Sequence, residues 1–460
     1  MKLKPYPKYK PSGVEWLGDV PEHWEALTVR RRATRIQTGG TPPTAEDRFY
    51  EDGTVPWFGP GSFDDQIAVT QPIKLLNASA VKEGVARMFI KGATMVVTIG
   101  ATLGKVSSLT EAGSCNQQIT VIEFDHRRIH PRFATYQLKR LEPVLRAIAP
   151  SATLPILDQG EIADIALGVP SLPEQRSIAA FLDRETSRID RLVVKKRELI
   201  ERLKEKRTAL ISRTVTRGLP PAAARAAGLP ANPPLKPSGI DWLGEIPEHW
   251  EVKKFGYISI VVRGASPRPA GDARYFDGDF IPWITVGEVT KDNNVYLNST
   301  STMLTEEGAD NSRIIRSGTL VLTNSGATLG VPKILAITGC ANDGVVAFES
   351  LSKDADRVFH YYYLRSLTEN LRDRIKQGSG QPNLNTDIVK ALSIPFPPLL
   401  EQVAIATYLD IETAKLDALV AKVEEAIERL QEYRTALITA AVTGKIDVRE
   451  ESTKDTKSTK

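Results

Sequence analysis

Residues 11–25 read PSGVEWLGDVPEHWE and residues 237–251 read PSGIDWLGEIPEHWE, a displacement of 226. The same displacement carries Val55-Pro56-Trp57 onto Ile281-Pro282-Trp283, and Gly100-Ala101-Thr102-Leu103-Gly104 onto Gly326-Ala327-Thr328-Leu329-Gly330. Farther along it becomes 227, pairing Pro173-Glu174-Gln175 with Leu400-Glu401-Gln402, and Arg207-Thr208-Ala209-Leu210-Ile211 with Arg434-Thr435-Ala436-Leu437-Ile438. Self-similarity at a fixed displacement settles the architecture before any local pattern does: the chain is two copies of one unit of about 200 residues.

Each copy has two parts. Residues 11–172 and 237–399 are punctuated by Gly and Pro and carry short β-rich runs such as 93–98 and 319–323, which predicts a compact, mainly β domain. Residues 174–214 and 401–441 contain no Gly or Pro and are rich in Leu, Glu, Lys and Arg, which predicts one long helix per copy. A 4-then-3 spacing picks out Ile178, Leu182, Ile189, Leu192, Leu199, Leu203 and Leu210 in the first helix. In the second it picks out Ile405, Leu409, Leu416, Leu419, Val423, Leu430 and Leu437. Such spacing over several heptads is a coiled-coil seam. Residues 174–217 carry 13 Lys and Arg against 7 Asp and Glu, whereas 401–445 carry 5 against 8, so opposite charge favours pairing of the two helices within one chain.

The link between the first helix and the second domain, LPPAAARAAGLPANPPLK, spans a rod of roughly 60 Å only if fully stretched, so the helices are expected to run antiparallel. The expected fold class is α+β: two pseudo-twofold-related copies of a mainly β domain plus a long helix, the two helices forming an antiparallel coiled coil. The expected boundaries are a first domain at 1–172, a helix at 173–217, a linker at 218–236, a second domain at 237–399, a helix at 400–445 and a disordered polar tail at 446–460.

Composition narrows the function. With 41% hydrophobic and 25% charged residues the chain has ordinary globular make-up, and no apolar run approaches the roughly 20 residues that span a bilayer, so a cytoplasmic protein without membrane contact is expected. Two cysteines, Cys115 and Cys340, exclude a disulfide framework. A net charge of +4 requires any DNA-binding surface to be local.

Duplex DNA has a twofold axis, so two readers related by such an axis suit two half-sites, and unlike readers suit a site that is not a palindrome. Between the shared Pro-Trp and Gly-Ala-Thr-Leu-Gly anchors the two copies do differ, residues 58–99 against 284–325. At this point the sequence resembles the specificity subunits of type I restriction-modification enzymes. The resemblance rests on Pro-Ser-Gly-(Val/Ile)-(Glu/Asp)-Trp-Leu-Gly, Pro-Glu-His-Trp, Gly-Gly-Thr-Pro at 39–42 echoed by Gly-Ala-Ser-Pro at 264–267, (Val/Ile)-Pro-Trp, and the Glu-Gln that opens each helix. It implies two target-recognition domains that each read half of a bipartite double-stranded DNA site, with helices that set the unread spacer and dock two modification (methyltransferase) subunits. It also implies recruitment of restriction (motor-nuclease) subunits. The second reading, a scaffold of two protein-binding β domains, stays open.

Base reading needs Arg or Lys for guanine and Asn or Gln for adenine. The candidates are Arg87, Lys91, Lys105, Asn116, Gln117 and Gln118 in the first domain, and Arg268, Arg274, Lys291, Asn293, Asn294, Arg313 and Asn324 in the second. Asn116 and Asn342 occupy matching positions and suit a shared turn.

Catalytic signatures are not evident. The Gly-Ala-Thr-Leu-Gly segments lack the Lys-Ser/Thr ending of a phosphate loop. Asn232-Pro233-Pro234-Leu235 lacks the aromatic of an adenine methyltransferase and lies in the linker, and none of the five histidines sits at zinc-binding spacing. A non-catalytic chain holding no metal or cofactor is expected, with S-adenosylmethionine, ATP and magnesium belonging to partner subunits.

Overall fold

The computed structural model of the chain describes residues 4–149, 155–326, 328–374 and 384–449. It comprises two compact units, Met1–Lys196 with Glu424–Lys460, and Arg197–Val423. Each unit therefore takes one β-rich domain, half of the first long helix and half of the second.

In the first unit a five-stranded sheet runs Ala33–Thr38, Ile119–Phe124, Thr94–Val97, Val106–Leu109, Ala68–Val69, antiparallel except for the last, parallel pair. A second sheet joins Ser114–Cys115, Val55–Phe58 and Lys74–Leu76. The strand Thr94–Val97 is buried on both faces, and its two-residue period divides its work. Met95 and Val97 enter a core with Phe58, Phe89, Ile119 and Val121, while Thr94 faces the helix Pro131–Arg140 and shares a 2.7 Å hydrogen bond with Thr135.

The second unit repeats this register: Leu320 pairs with Ile334 and Leu322 with Val346, as Thr94 pairs with Ser108 and Val96 with Thr120. Val321, Leu335, Val345 and Ala347 form one core, and Leu320, Leu322, Ile334 and Phe348 pack with Phe359, Tyr363 and Leu367 of the helix Arg357–Arg374 on the other face.

The repeated Glu-His-Trp and Glu-Gln motifs meet at the joint between domain and helix. Glu174 is 6% exposed, and its carboxylate accepts from Tyr6 Oη at 2.7 Å, Trp24 Nε1 at 3.0 Å and His23 Nε2 at 2.9 Å. Gln175 accepts from the His130 amide and donates to the Pro170 carbonyl. In the second unit His249 Nε2 lies 2.8 Å from Glu401, and Gln402 bonds the Asp356 amide and the Asp354 and Pro397 carbonyls.

The long helices run Leu172–Arg217 and Leu399–Val442. Glycines in the left-handed conformation follow both, Gly218 at φ +81° and Gly444 at φ +69°. Gly444 abuts Pro21 and Trp24 in the first unit; Gly218 lies beside Trp250 and Glu401 in the second. Within each unit the end of one helix thus meets the domain from which the other begins, as an antiparallel pair requires.

Two ion pairs fix the register. In the second unit Arg207 Nε binds Asp417 Oδ1 at 3.0 Å. In the first, Arg434 Nε lies 3.0 Å from Asp190 Oδ1, and its directed hydrogen bond runs from Nη2 to Oδ2 at 3.5 Å. Asp190 and Arg207 stand in the first copy where Asp417 and Arg434 stand in the second. One interaction is therefore made twice with donor and acceptor helices exchanged.

The seam departs from the strict 4-then-3 reading. Ile178, Leu182, Ile189, Ile405, Leu409, Leu416 and Leu437 are buried, and Leu203, Leu210, Val423 and Leu430 are half-buried. Leu192, Leu199 and Leu419, however, are 42%, 43% and 48% exposed; Val193 and Ile200 are buried instead, and Val420 is half-buried. Thr186 and Thr413 take an extra inward place, each back-bonded to the leucine four residues earlier at 2.7 Å and touched by Tyr136 or Tyr362 at 3.1 Å. A helix of 3.6 residues per turn drifts from a strict 3.5 repeat, and this 4-4-3 step absorbs the drift.

Two further segments differ from expectation. The Ala-rich linker contains a helix, Pro221–Ala226, with Ala224 buried. Residues 446–449, assigned from sequence to a polar tail, are packed: Val448 is buried, the Asp447 amide bonds the Lys4 carbonyl at 2.8 Å, and the Arg449 guanidinium lies over the Tyr6 ring. The apolar Val448 side chain supplies the reason; the remainder of the predicted tail lies outside the described residues.

The displaced seam makes a sharp test. Ile200→Asp should destabilise the full chain by about 3 kcal/mol or more, since it loses a buried aliphatic group and buries a charge. Leu199→Asp should cost under about 1 kcal/mol, the range of surface changes. Urea denaturation midpoints of the two variants distinguish this seam from the one-residue alternative.

Candidate nucleic-acid interface

In each domain the chain leaves the edge strand of the five-stranded sheet through a loop that lies directly on a second turn. A Cβ on Gly39 would overlap the carbonyl oxygens of Cys115 and Asn116; one on Gly264 would overlap those of Ala341 and Asn342. The next residue closes the contact with its amide, Gly40 to the Cys115 carbonyl at 2.8 Å and Ala265 to the Ala341 carbonyl at 2.9 Å. Its own carbonyl is held from below, by Trp57 Nε1 at 3.0 Å in the first domain and by Ser312 Oγ at 2.6 Å in the second.

A hydroxyl then latches the turn. Thr41 Oγ1 donates to Gln117 Oε1, and Ser266 Oγ donates to Asp343 Oδ1 at 2.8 Å. Gln117 and Asp343 are equivalent positions of the two copies, each following the matched Asn116 or Asn342. Asn116 serves the turn itself, accepting from the Gln118 amide at 3.1 Å and donating to Gln118 Oε1 at 2.9 Å.

Cationic groups surround both turns. Arg87 donates to the Thr38 and Gly39 carbonyls, and Arg313, its counterpart in the repeat, lies exposed on the strand beside Ala341. The second domain adds two arginines with no equivalent in the first: Arg263 Nε bonds the Asp343 carbonyl at 2.6 Å, and Arg268 Nη2 bonds Asp343 Oδ2 at 3.1 Å with its side chain 69% exposed. Thr38 and Pro43 stand at those places in the first copy.

The structure thus brings Arg87, Asn116, Gln117 and Gln118 together at one turn and Arg268 and Arg313 together at the other. The other sequence candidates lie elsewhere or are engaged. Lys105 is half-buried and donates to the Phe63 carbonyl at 3.2 Å. Lys91 is exposed in a turn before a buried strand. Arg274 is held on Asp272 at 2.7 Å, and Lys291 bonds Glu288 and the Ser299 carbonyl. Asn293 accepts from Arg365 at 2.9 Å.

Asn294 presents its carbonyl to Lys333, a buried ammonium that also binds Asp292 Oδ1 at 2.5 Å and the Asp292 carbonyl at 3.0 Å. Burial pushes the Lys333 pKa below the ordinary lysine value. Asn324 is a correction of another kind: it is fully buried, with neither side-chain oxygen nor nitrogen partnered, so it presents nothing at the surface. Thr41, Ser266, Arg263 and Asp343 were not among the candidates; the hydroxyl shared by Gly-Gly-Thr-Pro and Gly-Ala-Ser-Pro was the signal that could have found the first two.

Burial pushes the Cys115 thiol up to about 12, far from a reactive thiolate. Among the described residues no group of three or more His, Cys, Asp or Glu could hold a metal ion, and no helix is long and apolar enough to cross a membrane.

The chain is similar to known proteins along most of its length. The type I restriction modification DNA specificity domain matches residues 33–202 and again 247–429. The type I restriction enzyme MjaVIII specificity subunit of Methanocaldococcus jannaschii is 23% identical over 451 residues, covering 94% of both chains. The putative MjaX specificity subunit of the same organism is 21% identical over 448 residues, covering 94% of this chain and 96% of its own. Among solved structures, the HsdS subunit from Thermoanaerobacter tengcongensis has a similar fold, with TM-score 0.53 and 16% identity over 93% of this chain and 98% of that one. A chain from a study of complex assembly and conformational transition of the type I R-M system aligns with TM-score 0.71 and 16% identity over 93% and 99%.

The loop-on-turn contact predicts unequal sensitivities. Gly39→Ala or Gly264→Ala must push backbone away from backbone and should cost about 1–3 kcal/mol, the range of overpacking. Gln117→Ala, at an exposed tip, should cost under about 0.5 kcal/mol. Thermal unfolding of the three variants checks this.

Proposed function

Because the chain belongs to the type I restriction-modification DNA specificity family, we propose that each β-rich domain reads one half of a bipartite double-stranded DNA site, while the paired helices set the unread spacer and dock two methyltransferase subunits. A chain of this family is the specificity component of a multi-subunit restriction-modification system and is not itself the catalyst. The observation that carries the reading is one backbone frame built twice with unlike side chains on its tip. Phosphate contacts position a protein on DNA and base contacts specify the sequence. The paired Arg87 and Arg313 suit the first task because both copies have them; the differing residues of the turns suit the second.

On this reading S-adenosylmethionine, ATP and magnesium act in the methyltransferase and restriction (motor-nuclease) subunits, and the assembly works in the cytoplasm. The reciprocal Arg–Asp pairs support the helices as a ruler, since they resist sliding of one helix along the other.

Exchanging residues 38–170 for those of a relative should change one half of the methylated motif and preserve the other, as mapped by single-molecule sequencing of methylated adenines. A change in both halves, or in neither, defeats the idea of independent readers. Inserting four residues, about one helical turn, into both helices should lengthen the accepted spacer. Gel-shift assays of the chain with its methyltransferase subunits test the scaffold reading, which expects no preference for any duplex sequence.

A further inference from the structure

The two turns share a frame but offer different chemistry at one position. In the first domain the Gln117 side-chain oxygen already accepts from Thr41, which leaves its amide donor and a second lone pair available on an exposed residue. In the second domain both oxygens of Asp343 are engaged, one by Ser266 at 2.8 Å and one by Arg268 at 3.1 Å, so the outward group is the Arg268 guanidinium. The Arg263 side chain braces the same turn through the Asp343 carbonyl.

We propose that these tips determine specificity: Gln117 reads an adenine in the half-site of the first domain, and Arg268, braced by Asp343, reads a guanine in the half-site of the second. The assignment rests on the DNA-reading function proposed above and follows from donor and acceptor geometry. A carboxamide with one free donor and one free acceptor matches the N6 and N7 edge of adenine, and a guanidinium matches O6 and N7 of guanine. Both groups are held before DNA arrives, so less side-chain freedom is lost on binding than for an untethered Gln or Arg. The turns differ in what they present and agree in how they are held, which separates this position from Arg87 and Arg313, where the copies agree in residue type as well.

The test uses the full chain assembled with its methyltransferase subunits. Methylated adenines are mapped to obtain the unaltered motif, and affinities are then measured for the cognate duplex and for duplexes substituted one base pair at a time. Gln117→Ala should reduce discrimination about tenfold or more at one adenine position of one half-site, and Arg268→Ala should do the same at one guanine position of the other, all remaining positions being unchanged. Gln117→Glu, which keeps the acceptor and removes the donor, should lose the adenine preference as Gln117→Ala does.

Variants that keep the original discrimination at every position overturn the inference and leave the DNA-reading function standing. Equal weakening for every duplex also overturns it, because the residues would then only hold the backbone. If the unaltered complex shows no bipartite motif, the function itself fails, a result distinct from either.

Discussion

A buried carboxylate anchors each long helix, and in the first unit almost everything converges on it. Glu174 lies at 6% exposure, where an unpaired charge would be costly, and it is matched by donors from Tyr6, Trp24 and His23. Trp24 in turn packs against Gly444 just beyond the second helix, and Tyr6 is covered by Arg449. A single charge at the start of one helix is thereby connected to the end of the other. The second unit uses the same plan less completely: Glu401 retains His249, but the Trp250 indole nitrogen is buried without a partner.

The helix pair adds a constraint of a different kind. Charge imbalance alone would let oppositely charged helices associate at many registers. Arg207 with Asp417, and Arg434 with Asp190, select one, since a step of seventeen residues up the first helix matches a step of seventeen down the second. Arg434 and Asp190 are the better shielded pair, with side chains 10% and 23% exposed against 16% and 53%, so water screens them less. Aliphatic burial supplies attraction along the seam, while these pairs supply position.

Much of this was legible in the sequence, for identifiable reasons. The duplication showed because the residues that build joints and tight contacts, such as Glu174, Trp24 and Gly39, permit few substitutes and so recur in both copies. The long helices showed because nothing in them breaks a helix. The seam was misread by one residue because a strict heptad prefers the leucines at 192, 199 and 419, whereas the preceding threonines shift the inward face to 193, 200 and 420. Gln117 was recognisable as an amide beside a matched asparagine. Asp343 was not, because an acidic residue reads as hostile to phosphate until its Arg268 partner is seen. Lys333 and Asn324 show the general limit: a polar residue carries no mark of burial, and only the fold reveals that one is a strut and the other is sealed inside.

The contact between Gly39 or Gly264 and the turn beneath it has a consequence for how such a chain can change. Its frame is made from backbone carbonyls and amides, latched by one hydroxyl and braced from below by an indole or a second hydroxyl, with the tip side chain contributing little to the core. Most substitutions at such a position leave stability within a few tenths of a kcal/mol, so they do not push the protein below the threshold at which it folds. The architecture therefore uncouples inheritance of the fold from variation of what the fold presents: each copy can drift in its outward chemistry while the other copy and the long helices keep their shape.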